Sequence, residues 1–193
     1  MKWSAWAPGL VQFRGSEFIL ALVTVVAVLG LGVLYGVLVA VAVSILDLLR
    51  RVARPSDGVL GIVPGVAGIH NLDDYPNASP VPGLLVYRYD APLCFANAED
   101  FRKRALGAVD ANPVPVEWFL LNAEANVDVD LIALDALDQL RADLDARGIT
   151  FAMARVKSGL RAILDSAGFV DEIGDDHIFM TLPTAVDAYR SAA

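Results

Sequence analysis

Cysteine, histidine and basic charge are all scarce in this chain. Its 193 residues include one cysteine, Cys94, which excludes an internal disulfide and suits a reducing compartment. Between Leu93 and Phe95, that cysteine reads as a small buried hydrophobe rather than a reactive thiol. There are two histidines. His70 stands among Asn71, Asp73 and Asp74, a cluster that reads as turn chemistry because one imidazole alone makes a poor metal site. His177 follows Asp175 and Asp176 at a strand entrance, where a local hydrogen bond is expected. No phosphate-cradling glycine loop is present, no cysteine–histidine pairing suggests a nucleophile, and no carboxylate pair has supporting context. An enzyme is therefore the least favoured class, and the residues call for neither cofactor nor metal. Acidic residues outnumber basic ones, for a net charge of -8. The imbalance is uneven: residues 1–57 carry Lys2, Arg14, Arg50, Arg51 and Arg54 against Glu17, Asp47 and Asp57, a net of +2, which leaves -10 for the remainder. So acidic a soluble part repels phosphate backbones, and nucleic acid is excluded as an expected partner.

Charge is missing altogether from Phe18 to Leu46, an apolar run of 29 residues. That exceeds the length of about 18 residues that separates a membrane helix from a buried core helix. As one straight helix it would be roughly 44 Å long against a hydrocarbon core of about 30 Å. Either one helix tilts strongly, or the run breaks near Gly30, Gly32 or Gly36 into two short helices that dip in and return. A hairpin of that kind needs covering helices beyond those in this chain. A secretory signal peptide fits poorly, because the run is twice the usual length and LLRRVAR follows it instead of a cleavage site. Arg50, Arg51 and Arg54 place the downstream side in the cytoplasm by the positive-inside rule. The glycines suit close helix packing, and Thr24 and Ser44 suit bonding back to helix carbonyls.

After the turn-rich Arg54-Pro55-Ser56-Asp57-Gly58, strands and helices alternate. Strands are expected at 59–63, 83–89, 117–122, 150–155 and 178–181, with 91–95 partnering or continuing the second. Residues 70–82 read as loop. Helices are expected at 98–111 behind Asn97 as N-cap, at 131–147 behind Asp130, up to Ala167 behind Ser158 as cap, and at 184–191. This order predicts an α/β sandwich with a mostly parallel sheet. The acidic string Glu124, Asp128, Asp130, Asp135 and Asp138 reads as a solvated loop and helix face, with Asp128 and Asp130 the members closest to a helix start.

Three stretches carry a family resemblance. VLGIVPGVAGIHNLDDYPNASPVPGLLVYRYDAPLCFANAEDFRKRAL, WFLLNAEANVDVDLIALDALDQLRADLDARGITFAMARVKSGLRAIL and GFVDEIGDDHIFMTLPTAVDAY resemble the opening, middle and close of a STAS domain. That module is shared by anti-sigma-factor antagonists and the C-termini of SulP-type anion transporters. Upstream, FILALVTVVAVLGLGVLYGVLVAVAVSILDLLRRVARP is similar to the last membrane segment of SulP transporters, where two short helices lead into the domain.

The resemblance implies a STAS-like β-sheet with helices packed on it, preceded by a transmembrane helical segment of two short helices. The expected organisation is a pre-membrane segment at 1–17, a membrane segment or hairpin at 18–49, a linker at 50–57 and a cytoplasmic STAS domain at 58–193. It implies the C-terminal portion of a secondary active transporter for sulfate or a related anion in the cytoplasmic membrane, not transport-competent alone. Its partners would be the lipid bilayer, the remaining transmembrane helices and, as one option, a second copy in a homodimer. The rival reading is a membrane-anchored signalling module that binds a protein partner. In many STAS domains an Asp followed by a phosphorylatable Ser or Thr begins the helix after the third strand. Here Asp130 matches the acid, while Leu131 and Ile132 stand where the hydroxyls would be. A phosphorylation switch is therefore not expected. Asp128, Asp130, Leu131 and Ile132 remain the candidate regulatory or interaction surface, with no catalytic or substrate-binding residue expected in this stretch.

Overall fold

In the computed structural model, which describes residues 15–66 and 68–192, the chain divides into two compact units with the break between Arg51 and Val52. The expected pre-membrane segment falls, from residue 1 to 14, outside the described residues.

The first unit consists of α1 (Gly15–Leu31) and most of α2 (Val33–Ala53). Gly32 separates them with φ +86°, a left-handed conformation that breaks the helix and favours glycine. Along a continuous helix, residues 28 and 36 would lie roughly 12 Å apart. Instead a Cβ placed on Gly36 would come within 2.7 Å of Val28 Cα, so the adjoining ends of α1 and α2 fold back on each other. The apolar run is thus broken at one of its glycines, and another lets the backbones touch. By length and composition α2 can cross a membrane. Val33, Leu34, Leu46 and Leu48 on α2 are exposed, an apolar surface that suits lipid or other helices and not water. Its last turn carries Arg50 and Arg51, favourable at a helix C-terminus, and Arg51 pairs with Asp47 at 2.7 Å.

The second unit, residues 52–193, is built on a six-stranded sheet. Its strands are β1 (Asp57–Ile62), β2 (Ile69–Asn71), β3 (Leu84–Tyr89), β4 (Trp118–Asn122), β5 (Thr150–Ala154) and β6 (Ile178–Phe179), in the order β2-β1-β3-β4-β5-β6. From β3 to β6 all pairs are parallel, while β1 is antiparallel to both its neighbours. Between and after the parallel strands run α3 (Ala98–Ala111), α4 (Leu131–Asp145), α5 (Ser158–Ser166), α6 (Phe169–Ile173) and α7 (Leu182–Ala192), with a 3-10 turn at Asp175–His177.

Side-chain alternation sorts the sheet into two cores. Odd positions of the parallel strands, such as Leu85, Tyr87, Phe119, Leu121, Phe151 and Met153, share one core with α3 to α6. Even positions, Leu84, Val86, Leu120, Ala152 and Ala154, share the other with Leu182, Val186 and Tyr189 of α7. Burial on both faces explains why these strands read as near-continuous apolar runs. The register is marked by Phe119 and Phe151, paired across β4 and β5 with stacked rings 6.0 Å apart.

Several expectations need correction. The stretch 91–95 forms no strand; only Leu93 makes a single parallel bridge, to Val129. Part of the expected loop at 70–82 pairs instead, since Ile69–Asn71 forms β2. Ser158 does not cap α5, because it is already the first helical residue. Asn97 precedes α3 without a side-chain capping bond, its amide being committed elsewhere. Helix α6 and the 3-10 turn fill a stretch in which no element is expected, each too short to show a helical period.

Candidate functional surface

Helices α3 and α4 both start where parallel strands end, the edge of such a sheet where loops gather functional groups. The segment entering α4 is pinned from below by Asn126, buried at 1% exposure. Its amide donates to Tyr89 O at 3.2 Å and Ala91 O at 2.7 Å, fastening the β4–α4 connection to the end of β3. The Leu93 N–H donates to Asp128 O at 3.2 Å, so the two connections run alongside each other.

Asp130 then does two things. One carboxylate oxygen accepts from the Ala133 N–H at 2.8 Å, the expected N-cap of α4. The other accepts from the Phe95 N–H at 2.7 Å, tying the β3–α3 loop to the α4 start. Asp128 lies on the surface and accepts from the neighbouring Val129 N–H. Leu131 and Ile132 point outward at 81% and 59% exposure, and Phe95 is 72% exposed. Beside Leu131 and Ile132 opens a groove of about 480 Å³, lined further by Leu134, Phe169 and Ala167, with Asp135, Asp138 and Glu172 among its walls. Arg141 bridges Asp138 and Glu172 at 2.7 and 2.8 Å, fixing α6 against α4. The four residues singled out from sequence therefore fall together at one helix start, with an apolar floor and an acidic rim alongside.

A second polar group sits at the start of α3, and sequence reasoning missed it. Asn97, 1% exposed, accepts from the Cys94 N–H at 2.9 Å and donates to Pro92 O at 3.0 Å and Val52 O at 3.1 Å. Two turns further, Arg104 donates to Pro55 O at 2.6 Å and pairs with Asp57 at 2.7 Å. Asp57 also accepts from the Tyr87 hydroxyl at 2.6 Å, and Asp100 from the Tyr89 hydroxyl at 3.1 Å. Both phenols are pushed well above the usual tyrosine range, first by burial and then by the adjacent carboxylates. Two tyrosines flanking Arg88 at the end of an aliphatic strand were the available signal, since a buried phenol needs a partner.

The remaining polar candidates lie elsewhere. His70 falls in β2, its ring 5.0 Å from that of Tyr75. His177 packs against Trp118 in a tilted arrangement with ring centroids 5.2 Å apart, and its Nδ1 lies 3.2 Å from Asp176. Cys94 is free and partly buried in the β3–α3 loop. Among the described residues no group of three or more His, Cys, Asp or Glu is placed to hold a metal.

The STAS domain family model matches residues 75–185. Over 181 residues the chain is 71% identical to "Probable sulfate transporter Rv1739c" of Mycobacterium tuberculosis, covering 94% of this chain and 32% of that protein. It is 32% identical over 186 residues to "Low affinity sulfate transporter 3" of Stylosanthes hamata, covering 91% of this chain and 29% of the other. The murine Slc26a9 anion transporter, solved in an inward-facing state, has the same fold at 21% identity, with a TM-score of 0.79 over 97% of this chain and 31% of its own. The chain thus spans about a third of the length of the relatives it matches.

Proposed function

The chain belongs to the STAS domain family, and from that premise we propose that it is the C-terminal portion of a secondary active transporter for sulfate or a related inorganic anion. The observation that carries this reading is the 71% identity to a protein named as a sulfate transporter, over 94% of the chain and hence across both the apolar helices and the domain. In this reading α1 and α2 are the last membrane segment, and the apolar exposure of α2 is covered by lipid and by further helices of the same transporter. The basic last turn of α2 supports a cytoplasmic domain by the positive-inside rule. The anion site lies in those further helices, so this stretch regulates and does not itself transport.

Within the domain, the start of α4 is the interaction surface: Leu131, Ile132 and Phe95 are exposed, and Asp128 and Asp130 shape the turn. The occupant is a protein helix with an apolar face and a basic flank. Apolar Leu131 and Ile132 meet the face, and the acidic rim of Asp135, Asp138 and Glu172 meets the flank. A second copy of the domain is a poor occupant, because it would bring like charge to like across a part that carries a net of -10. A membrane-anchored signalling module has no comparable support, since the relatives matched across both units are named as sulfate transporters.

The test is an immunoblot of native membranes with an antibody to residues 58–193, followed by uptake of radiolabelled sulfate by the protein it detects. A band several tens of kDa above the 20.6 kDa of this chain, together with sulfate uptake, is the expected result. A membrane band at this chain's own mass would overturn the reading.

A further inference from the structure

The two polar groups at the starts of α3 and α4 are joined. From Asp130 the path runs through the Phe95 N–H to the β3–α3 loop, through the Cys94 N–H to Asn97, and from the Asn97 amide to Val52 O, each step between 2.7 and 3.1 Å. Segment 52–57 is held at two further carbonyls, Pro55 by Arg104 and Ser56 by the Asp90 N–H at 2.9 Å. Asp57 adds the ion pair with Arg104. Unlike a solvated tether, this segment has its orphan carbonyls satisfied by one loop and one helix of the domain.

We propose that the loop 91–97 couples the start of α4 to the segment 52–57, with Asn97 as its positioning residue, so that a partner seated on Leu131 and Ile132 regulates how firmly that segment is held. The inference rests on the reading of α4 as an interaction surface. Phe95 is the moving part: it is exposed beside that surface, while its own N–H is the first link of the path. A partner that draws Phe95 outward breaks the bond to Asp130 and loosens the loop whose Cys94 N–H and Pro92 carbonyl hold Asn97 in place. The coupling is thus a contiguous hydrogen-bonded route between two local elements, read out as local opening.

Amide hydrogen exchange of the full chain in lipid nanodiscs tests this without any partner or anion present. Asn97→Ala removes the last link, and exchange across 52–57 is expected to rise about tenfold while β4 and β5 keep their protection. Asp130→Ser keeps a capping oxygen for the Ala133 N–H but leaves none for Phe95. It touches nothing in 52–57, yet exchange there is expected to rise about threefold. If Asn97→Ala unfolds the domain, seen as lost protection in β4 and β5, Asp130→Ser decides alone. Exchange across 52–57 that stays within about twofold of the parent in Asp130→Ser, with Asn97→Ala folded or not, overturns the coupling. A failure of sulfate uptake would instead count against the transporter reading and leave these exchange rates unchanged.

Discussion

Helices α3 and α4 lie on the same face of the sheet and each begins just beyond the end of a parallel strand, yet their starts are built to different ends. Asp130 spends one oxygen on its own helix and leaves the residues after it, Leu131 and Ile132, facing outward. The side chain of Asn97 caps nothing on its own helix; it is buried, and its amide is committed to the loop before it and to Val52. One start is therefore open, with Leu131 and Ile132 exposed, and the other is closed around the chain's own incoming segment. Two similar-looking capping residues serve opposite purposes because burial, not residue type, decides what a side-chain amide or carboxylate must satisfy.

The sharpest way to break this comparison is to remove what both starts share. Phe101 of α3 is fully buried in the core that also holds Leu137 and Leu140 of α4. Phe101→Ala should destabilise the domain by about 3–5 kcal/mol and loosen both starts at once. Urea unfolding of the chain in detergent would measure it, and a cost under about 1.5 kcal/mol would show that the two helices do not share a single core.

Tyrosine ionisation then separates the closed start from the open one. Tyr87 and Tyr89 are both held neutral, by burial and by Asp57 and Asp100, whereas Asp130 accepts from backbone N–H groups. Their folded pKa values lie above the unfolded value, so the stability they give is fully present below about pH 10 and is lost as pH rises through the folded range. Each should contribute a slope that approaches about 1.4 kcal/mol per pH unit well above pH 10, so the pair approaches about 2.7. Tyr87→Phe and Tyr89→Phe should each flatten that slope by one share. Stability profiles of equal slope in parent and variants between pH 10 and 11 would mean that neither phenol is held as described.

Substituting the two starting residues compares them directly. Asn97→Ala leaves the Val52 and Pro92 carbonyls and the Cys94 N–H without their partner, for an expected cost of about 2 kcal/mol. Asp130→Ala should cost about 1 kcal/mol, the ordinary loss of a cap. Equal costs in urea unfolding would erase the distinction between a closed and an open start.

The layers of the fold were legible in the sequence, and the polar connections were not. Strands such as LLVYRY and WFLLN announce themselves because burial on both faces demands unbroken apolar runs, and Asp130 announces its helix because capping is local. Asp128, Asp130, Leu131 and Ile132 are singled out as a candidate surface through the family pattern, with the apolar pair as the departure from it. Nothing local marks Asn97 as a partner of Val52, 45 residues away, or Arg104 as a partner of Asp57. Such pairs depend on which strand ends meet, and β1 meets β3 in antiparallel fashion through a pairing that no short motif encodes.

The smallest expected effect on stability belongs to the open start, and there the comparison is sharpest. Leu131 and Ile132 are exposed, so the double variant Leu131→Ser, Ile132→Ser removes little buried surface and should change stability by no more than about 0.5 kcal/mol. A site selected for folding alone would gain from that change, since water-facing leucine and isoleucine contribute nothing to the core. A site that receives a partner's apolar face loses its contact area instead. On the proposed function, the longer protein carrying both substitutions should therefore reach the membrane at parental levels while its sulfate uptake changes by about fivefold or more, the range of an ordinary regulatory coupling. Parental uptake alongside parental stability would show that the open start of α4 is merely exposed, and the contrast with α3 would then be one of packing and not of function.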